Sequence, residues 1–108
     1  MPRILIIEDD PDLAEFMAIT LRTAGHEVRL AGDGITGLHA LRTAPPALLI
    51  LDVMLPDIVG LSLCEQFRHD DQGAPAPVPI LITSACDEAE IRPLADAAGA
   101  DDFLAKPF

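Results

Sequence analysis

Short unbroken apolar runs recur along the chain, and each stops abruptly at polar residues. Residues 3–7 (R-I-L-I-I) stop at Glu8-Asp9-Asp10, residues 47–51 (A-L-L-I-L) stop at Asp52, and residues 79–83 (P-I-L-I-T) end at Ser84. Continuous runs of this length suit strands buried on both faces, as in a parallel sheet. Residues 26–31 alternate instead, with Val28 and Leu30 on one face, which predicts a strand nearer the sheet edge. A fifth strand is expected at about residues 102–105, before Lys106-Pro107-Phe108.

Between these runs the period is helical. Asp10-Pro11 reads as an N-cap followed by a first helical residue. Leu13, Phe16, Met17, Thr20, Leu21 and Ala24 follow at helical spacing, with Gly25 as the C-cap. A second helix, about residues 35–42, is expected to bury Ile35, Leu38 and Leu41 before Pro45-Pro46 ends it. After a loop at residues 53–60, a third helix carries Leu63, Cys64 and Phe67 on its inner face. Residues 70–79, rich in Pro, Gly and Ala, read as a surface loop. Ile91, Leu94, Ala95 and Ala98 have the period of a fourth helix, and Gly99 is its stop. Pro93 conflicts with it, because an interior proline costs about 3 kcal/mol. The regular helix therefore begins near Arg92, or starts at Asp87 and bends. Strands alternate with helices throughout, without repeats or linkers. That predicts one α/β domain over residues 1–108, built from right-handed βαβ units with helices on both faces of a parallel sheet.

Composition narrows the picture. Half of the 108 residues are apolar, but only four are aromatic, so the core must come from Leu, Ile, Val and Ala. A formal net charge of −11 argues against non-specific nucleic-acid binding, which demands Lys and Arg. The excess acid serves solubility, or some of it gathers for a cation. Cys64 and Cys86 follow no metal spacing and read as buried thiols of a cytosolic protein. The apolar runs are too short to span a bilayer, and no signal peptide opens the chain, so the expectation is a cytoplasmic protein without membrane contact.

The ends of the strands carry the candidate chemistry. In open α/β sheets, ligands bind beyond the carboxyl ends of the strands, where strand order reverses. That rule brings Glu8, Asp9, Asp52, Ser84 and Lys106 into one pocket. Three carboxylates there repel one another. A hard divalent cation such as Mg²⁺, which takes oxygen ligands, resolves the conflict. Lys106 supplies a flexible point charge for a phosphate oxygen, and Ser84 a hydroxyl donor. An Asp carboxylate between a cation and a lysine is a suitable nucleophile for phosphoryl transfer. Singly, each residue has a plainer reading. Acids at strand ends are common turn residues, Asp10 is a helix cap, and Phe103 is core. Asp57 and Asp101 are loop acids, and His26, His39 and His69 are surface or edge residues. The joint order is what is specific.

From end to end, the chain resembles a receiver domain of bacterial two-component response regulators. The resemblance is carried by I-L-I-I-E-D-D at residues 4–10, L-D-V-M-L-P at residues 51–56 with Gly60, P-I-L-I-T-S-A at residues 79–85 and G-A-D-D-F-L-A-K-P-F at residues 99–108. It implies a flavodoxin-like, doubly wound five-stranded sheet of order 2-1-3-4-5. By position, Asp52 matches the phospho-acceptor, Asp9 the direct metal ligand and Glu8 its outer-shell neighbour. Met54 would offer its backbone carbonyl to Mg²⁺, and the side chains of Met54 and Cys86 would border the pocket. Ser84 matches the switch Ser/Thr, with Thr83 the runner-up, and Ala85 leaves room for the phosphoryl group. Phe103 matches the switch aromatic and Lys106 the lysine of the motif, followed by a cis bond to Pro107. Val59, the long Pro-rich stretch and Pro93 depart from the pattern. A fifth helix is also absent from this chain, which implies exposed apolar surface on the last strands, with low stability or association.

The resemblance implies a signalling switch rather than a free-standing enzyme. A sensor histidine kinase phosphorylates Asp52, the domain catalyses only its own phosphorylation and dephosphorylation, and an output domain or downstream protein reads the change. A homodimer is a further possible partner state; direct nucleic-acid contact by this domain is not expected. Two other readings compete. A receiver-like interaction module that is never phosphorylated would not need Asp52 and Lys106. An Asp-nucleophile phosphatase would carry a second Asp two places after the nucleophile, where this chain has Met54.

Overall fold

Nine elements follow one another in strict alternation: β1 (Arg3–Ile7), α1 (Pro11–Thr23), β2 (Glu27–Ala31), α2 (Gly34–Thr43), β3 (Leu48–Asp52), α3 (Gly60–Asp70), β4 (Ile80–Ser84), α4 (Glu88–Ala98) and β5 (Asp102–Ala105). They come from a computed structural model that describes residues 2–70 and 78–107. The expected Pro-rich loop lies mostly outside the described residues.

All strand pairs are parallel, in the order β2-β1-β3-β4-β5. This is the expected order, with the alternating strand β2 at one edge. The order reverses at β1, so β1 and β3 lie side by side and a crevice opens beyond their carboxyl ends. The apolar runs supply the sheet's two faces by simple alternation. Leu5, Ile7, Leu49, Leu51, Ile80 and Ile82 point into a larger core under α2, α3 and α4. Ile4, Ile6, Val28 and Ile50 point into a smaller core under α1. Each such fully buried side chain is worth about 1.5–3 kcal/mol.

The α1 face is only partly covered. Phe16, Met17, Thr20, Leu21, Ile50, Leu81 and Leu104 line an apolar trough of about 290 Å³. Phe16 is 57 % exposed and Leu104 40 %.

Several local expectations need correcting. Ile35 is not buried but 71 % exposed. The inward stripe of α2 is Gly34, Gly37, Leu38 and Leu41, and Ile35 falls one position off it. The C-cap of α1 is Ala24, and Gly25 follows it with φ +99°, the left-handed turn that favours glycine. Strands β3 and β4 run one residue further than their apolar runs, because the ladder continues through Asp52 and Ser84. Helix α4 starts at Glu88, with Asp87 as N-cap, and continues through Pro93. Pro93 removes the donor for the Ala89 carbonyl, and both residues face solvent, where water can take that carbonyl.

Candidate functional site

Backbone ladders carry the site residues past the ends of the strands. Glu8 donates its N–H to the Ala31 carbonyl at 3.0 Å, Val53 to Thr83 at 3.1 Å and Lys106 to Ser84 at 2.8 Å. Each chain segment is thus still held in sheet register where its polar side chain begins. The burial is unusual for such groups: Glu8 and Asp52 are 3 % exposed and Ser84 is fully buried.

Lys106 reaches across the crevice between them. Its Nζ donates to Glu8 Oε1 at 2.7 Å and lies 3.4 Å from Asp52 Oδ1. The same Asp52 oxygen accepts the Met54 N–H at 3.3 Å. Glu8 Oε2 accepts the N–H of Asp10 at 3.2 Å. Asp10 is the N-cap of α1, taking the N–H groups of Asp12 and Leu13, as its plainer reading had it. Asp9 stands exposed at the rim, and oxygens of Glu8, Asp9 and Asp52 come within 4.8 Å of one another.

Electrostatics follow from this crowding. Burial pushes the Glu8 carboxyl up, and the neighbouring Asp52 adds to it, although the Lys106 hydrogen bond pulls the other way. Burial works against the charge of Lys106, but its bond to Glu8 and the field of Asp52 outweigh that and raise its pKa. The pocket is a store of negative charge with one cation set into it. An all-oxygen donor set of this kind fits a hard cation such as Mg²⁺ and suits no soft metal.

The remaining sequence candidates lie near the ends of β3, β4 and β5, with Phe103 set deeper, opposite Ile82 in the sheet. Ser84 Oγ accepts the Cys86 N–H at 2.9 Å, which leaves its hydroxyl hydrogen free to donate. Thr83, the runner-up, is 1 % exposed and its Oγ1 has no hydrogen-bond partner among the described residues. Met54, Ala85 and Cys86 are exposed around the opening. Phe103 is 6 % exposed, with the Arg92 guanidinium 5.7 Å from its ring centroid. The Lys106-Pro107 peptide is cis. Gly60 closes the loop after Asp52 by donating to the Val53 carbonyl at 2.7 Å. A Cβ on Gly60 would overlap the Asp52 carbonyl oxygen.

A match to the family model for the response regulator receiver domain extends over residues 4–108. The chain belongs to the response regulator receiver family. A receiver of this kind works in two-component phosphorelay signalling. Among curated relatives, the DNA-binding dual master transcriptional regulator RpaA of Synechocystis is 40 % identical over the whole chain, which covers 44 % of that protein. The DNA-binding response regulator MtrA of Mycolicibacterium smegmatis is 40 % identical over 98 % of the chain, again covering 44 % of the relative. The receiver thus spans less than half the length of these regulators. Among solved structures, a Francisella response regulator receiver domain aligns with TM-score 0.91 and 30 % identity, covering 100 % of this chain and 86 % of that one. Vibrio cholerae chemotaxis protein CheY4 aligns with TM-score 0.90 and 30 % identity, covering 100 % and 88 %. Receivers bind Mg²⁺ at an acidic pocket and interact with histidine kinases and output domains; this chain has the acidic cluster.

Two residues read from sequence as plain loop acids do more. Asp101 Oδ2 accepts both the Arg68 guanidinium and the Ile80 N–H, each at 2.8 Å, so it ties α3 to the start of β4. Asp57 accepts the N–H groups of Gly34 and Ile35 at 2.7 and 2.9 Å. Only spatial proximity reveals either role. The three histidines are exposed or half-buried and away from the site. No described helix is long and apolar enough to cross a membrane.

Proposed function

We propose that Asp52 accepts a phosphoryl group from a histidine kinase or a small acyl phosphate, in a Mg²⁺-dependent reaction that switches a partner surface. The observation that carries this reading is the position of Asp52. Its carboxylate is 3 % exposed, beside the acid pair, with the Lys106 ammonium 3.4 Å from Oδ1.

Asp9, Asp52 and the Met54 carbonyl would hold the cation, with Glu8 as their outer-shell neighbour; when bound, the cation would supply positive charge against the donor's phosphoryl oxygens. An Asp52 oxygen attacks phosphorus. The bond from phosphorus to the leaving group breaks, and its electron pair departs with an imidazole or acyl oxygen. Lys106 then exchanges a carboxylate partner for a phosphoryl oxygen, and Ser84 donates its free hydroxyl hydrogen to another. Loss of the Lys106–Asp52 contact and movement of Ser84 bear on the β4–β5 edge, where Phe103 packs beneath Arg92. That edge and α4 form the surface read by an output domain or downstream protein.

Phosphorylation and dephosphorylation act on the domain itself, so it is a switch and not an enzyme with turnover of a separate substrate. A cytoplasmic location follows from the need to meet a kinase and its phosphodonor. The test is incubation with acetyl phosphate and Mg²⁺, read by intact mass. One phosphoryl adduct on the wild type, absent from Asp52→Asn and in chelator, is expected. An unmodified wild type would end this reading.

A further inference from the structure

Asp57 sits in the loop between β3 and α3, yet its carboxylate serves another element. It takes the first two amides of α2, those of Gly34 and Ile35, which lie 23 and 22 positions earlier in the chain. A helix leaves its first N–H groups without intrahelical partners. Asp33, the N-cap of α2, takes Thr36 N–H at 2.7 Å. Capping of α2 is thus divided between its own N-cap and the loop that follows Asp52. The two amide bonds also hold the Asp57 carboxyl below the usual carboxylate range.

Packing doubles the link. Gly34 lets Ile58 lie against the helix, since a Cβ there would overlap the Ile58 Cγ2. One turn further on, a Cβ on Gly37 would stand 2.5 to 3.0 Å from three side-chain atoms of Ile7. Ile7 is the last residue of β1, directly before Glu8 and Asp9. Helix α2 therefore touches the strand that delivers the acid pair and the loop that carries Met54. Within that loop, the Gly60–Val53 bond and the Met54–Val59 bridge close the segment on itself. Val53 and Leu55 hold it to the main core, and Asp57 and Ile58 fasten it to α2.

We propose that Asp57 is a positioning residue for cation binding: by clamping residues 53–59 onto α2, it sets the Met54 carbonyl in register with Glu8 and Asp9. This rests on the Mg²⁺ reading above. It adds a determinant of affinity that touches neither the cation nor the phosphoryl group.

The test is titration calorimetry with MgCl₂ on wild type, Asp57→Ala, Asp57→Asn and Asp33→Ala, with amide exchange of residues 53–59 measured without Mg²⁺. Asp57→Ala is expected to weaken Mg²⁺ about tenfold, the scale seen when groups that orient metal ligands are removed, and to speed exchange in the loop. Asp57→Asn, which keeps one carbonyl acceptor, recovers part of both. Asp33→Ala removes the other cap of α2 without touching the loop, and leaves Mg²⁺ affinity unchanged. Equal affinity in wild type and Asp57→Ala overturns the proposal. So does an equal loss in Asp33→Ala, which would reduce Asp57 to a helix cap. A wild type that takes up no Mg²⁺ removes the cation reading and this proposal's link to it. Loop exchange then reports separately whether the clamp exists.

Discussion

The ammonium of Lys106 lies 2.7 Å from Glu8 Oε1, a contact between residues 98 positions apart. Both groups are well shielded, with the Glu8 side chain 1 % exposed and that of Lys106 18 %. The hydrogen bond from Lys106 offsets part of the cost of burying the Glu8 carboxylate.

Lys106→Met strands Glu8 and Asp52 without their cation. Removing one partner of a buried pair costs about 3 kcal/mol, which urea unfolding at pH 7 in chelator would read. The sign with pH follows from Glu8. Its folded pKa is raised above the ordinary 4.5, so the fold favours the protonated form. Stability from that proton is complete below the unfolded pKa and is lost as pH rises through the folded one. Lys106 lowers the Glu8 pKa, so its loss raises that pKa further; the deficit of the variant is largest near neutrality and shrinks on acidification as Glu8 takes up its proton. A deficit that grows on acidification would contradict the pairing.

Gly60→Ala places a methyl group into the Asp52 carbonyl oxygen and the Val53 Cα. Neither is the end of a flexible side chain, so backbone must move. Overpacking of this kind costs about 1–3 kcal/mol. The urea midpoint falls accordingly, and acyl-phosphate labelling of the folded protein slows because Asp52 itself shifts. Labelling at the wild-type rate would show that the close approach is not needed.

The two cysteines differ in reactivity. Burial pushes the Cys64 thiol up to about 11, and its Sγ donates to the Ala98 carbonyl at 3.3 Å. Cys86 is exposed. At pH 8 a thiol-reactive disulfide reagent labels one cysteine at once and the second only after unfolding. Cys86→Ser abolishes the fast phase.

Asp101→Ala removes the acceptor for Arg68 and for the buried Ile80 amide. An unsatisfied amide in that position costs about 2 kcal/mol, read as a lower midpoint in urea. Asp101→Asn keeps a carbonyl acceptor and recovers part of it.

What could be read in the sequence was what depends on local pattern. The I-L-I-I run fixed a buried strand, Asp10-Pro11 fixed a helix start, and polar residues after three strands fixed the pocket. What could not be read depends on phase or on distant partners. Ile35 has the hydrophobicity of a core residue but lies one step off the inward stripe of α2. Strand ends were placed one residue early because backbone pairing does not stop where side chains turn polar. Asp57 and Asp101 look alike in a loop, and only their partners 21 to 33 positions away distinguish them.

The unevenness of the two cores has a practical meaning. Ser84 and Phe103 sit on the well-filled side, while the apolar trough of Phe16, Ile50, Leu81 and Leu104 lies on the other. An engineer seeking a more soluble or heat-tolerant version of this chain therefore has room to work along α1, on the sheet face opposite Ser84 and Phe103.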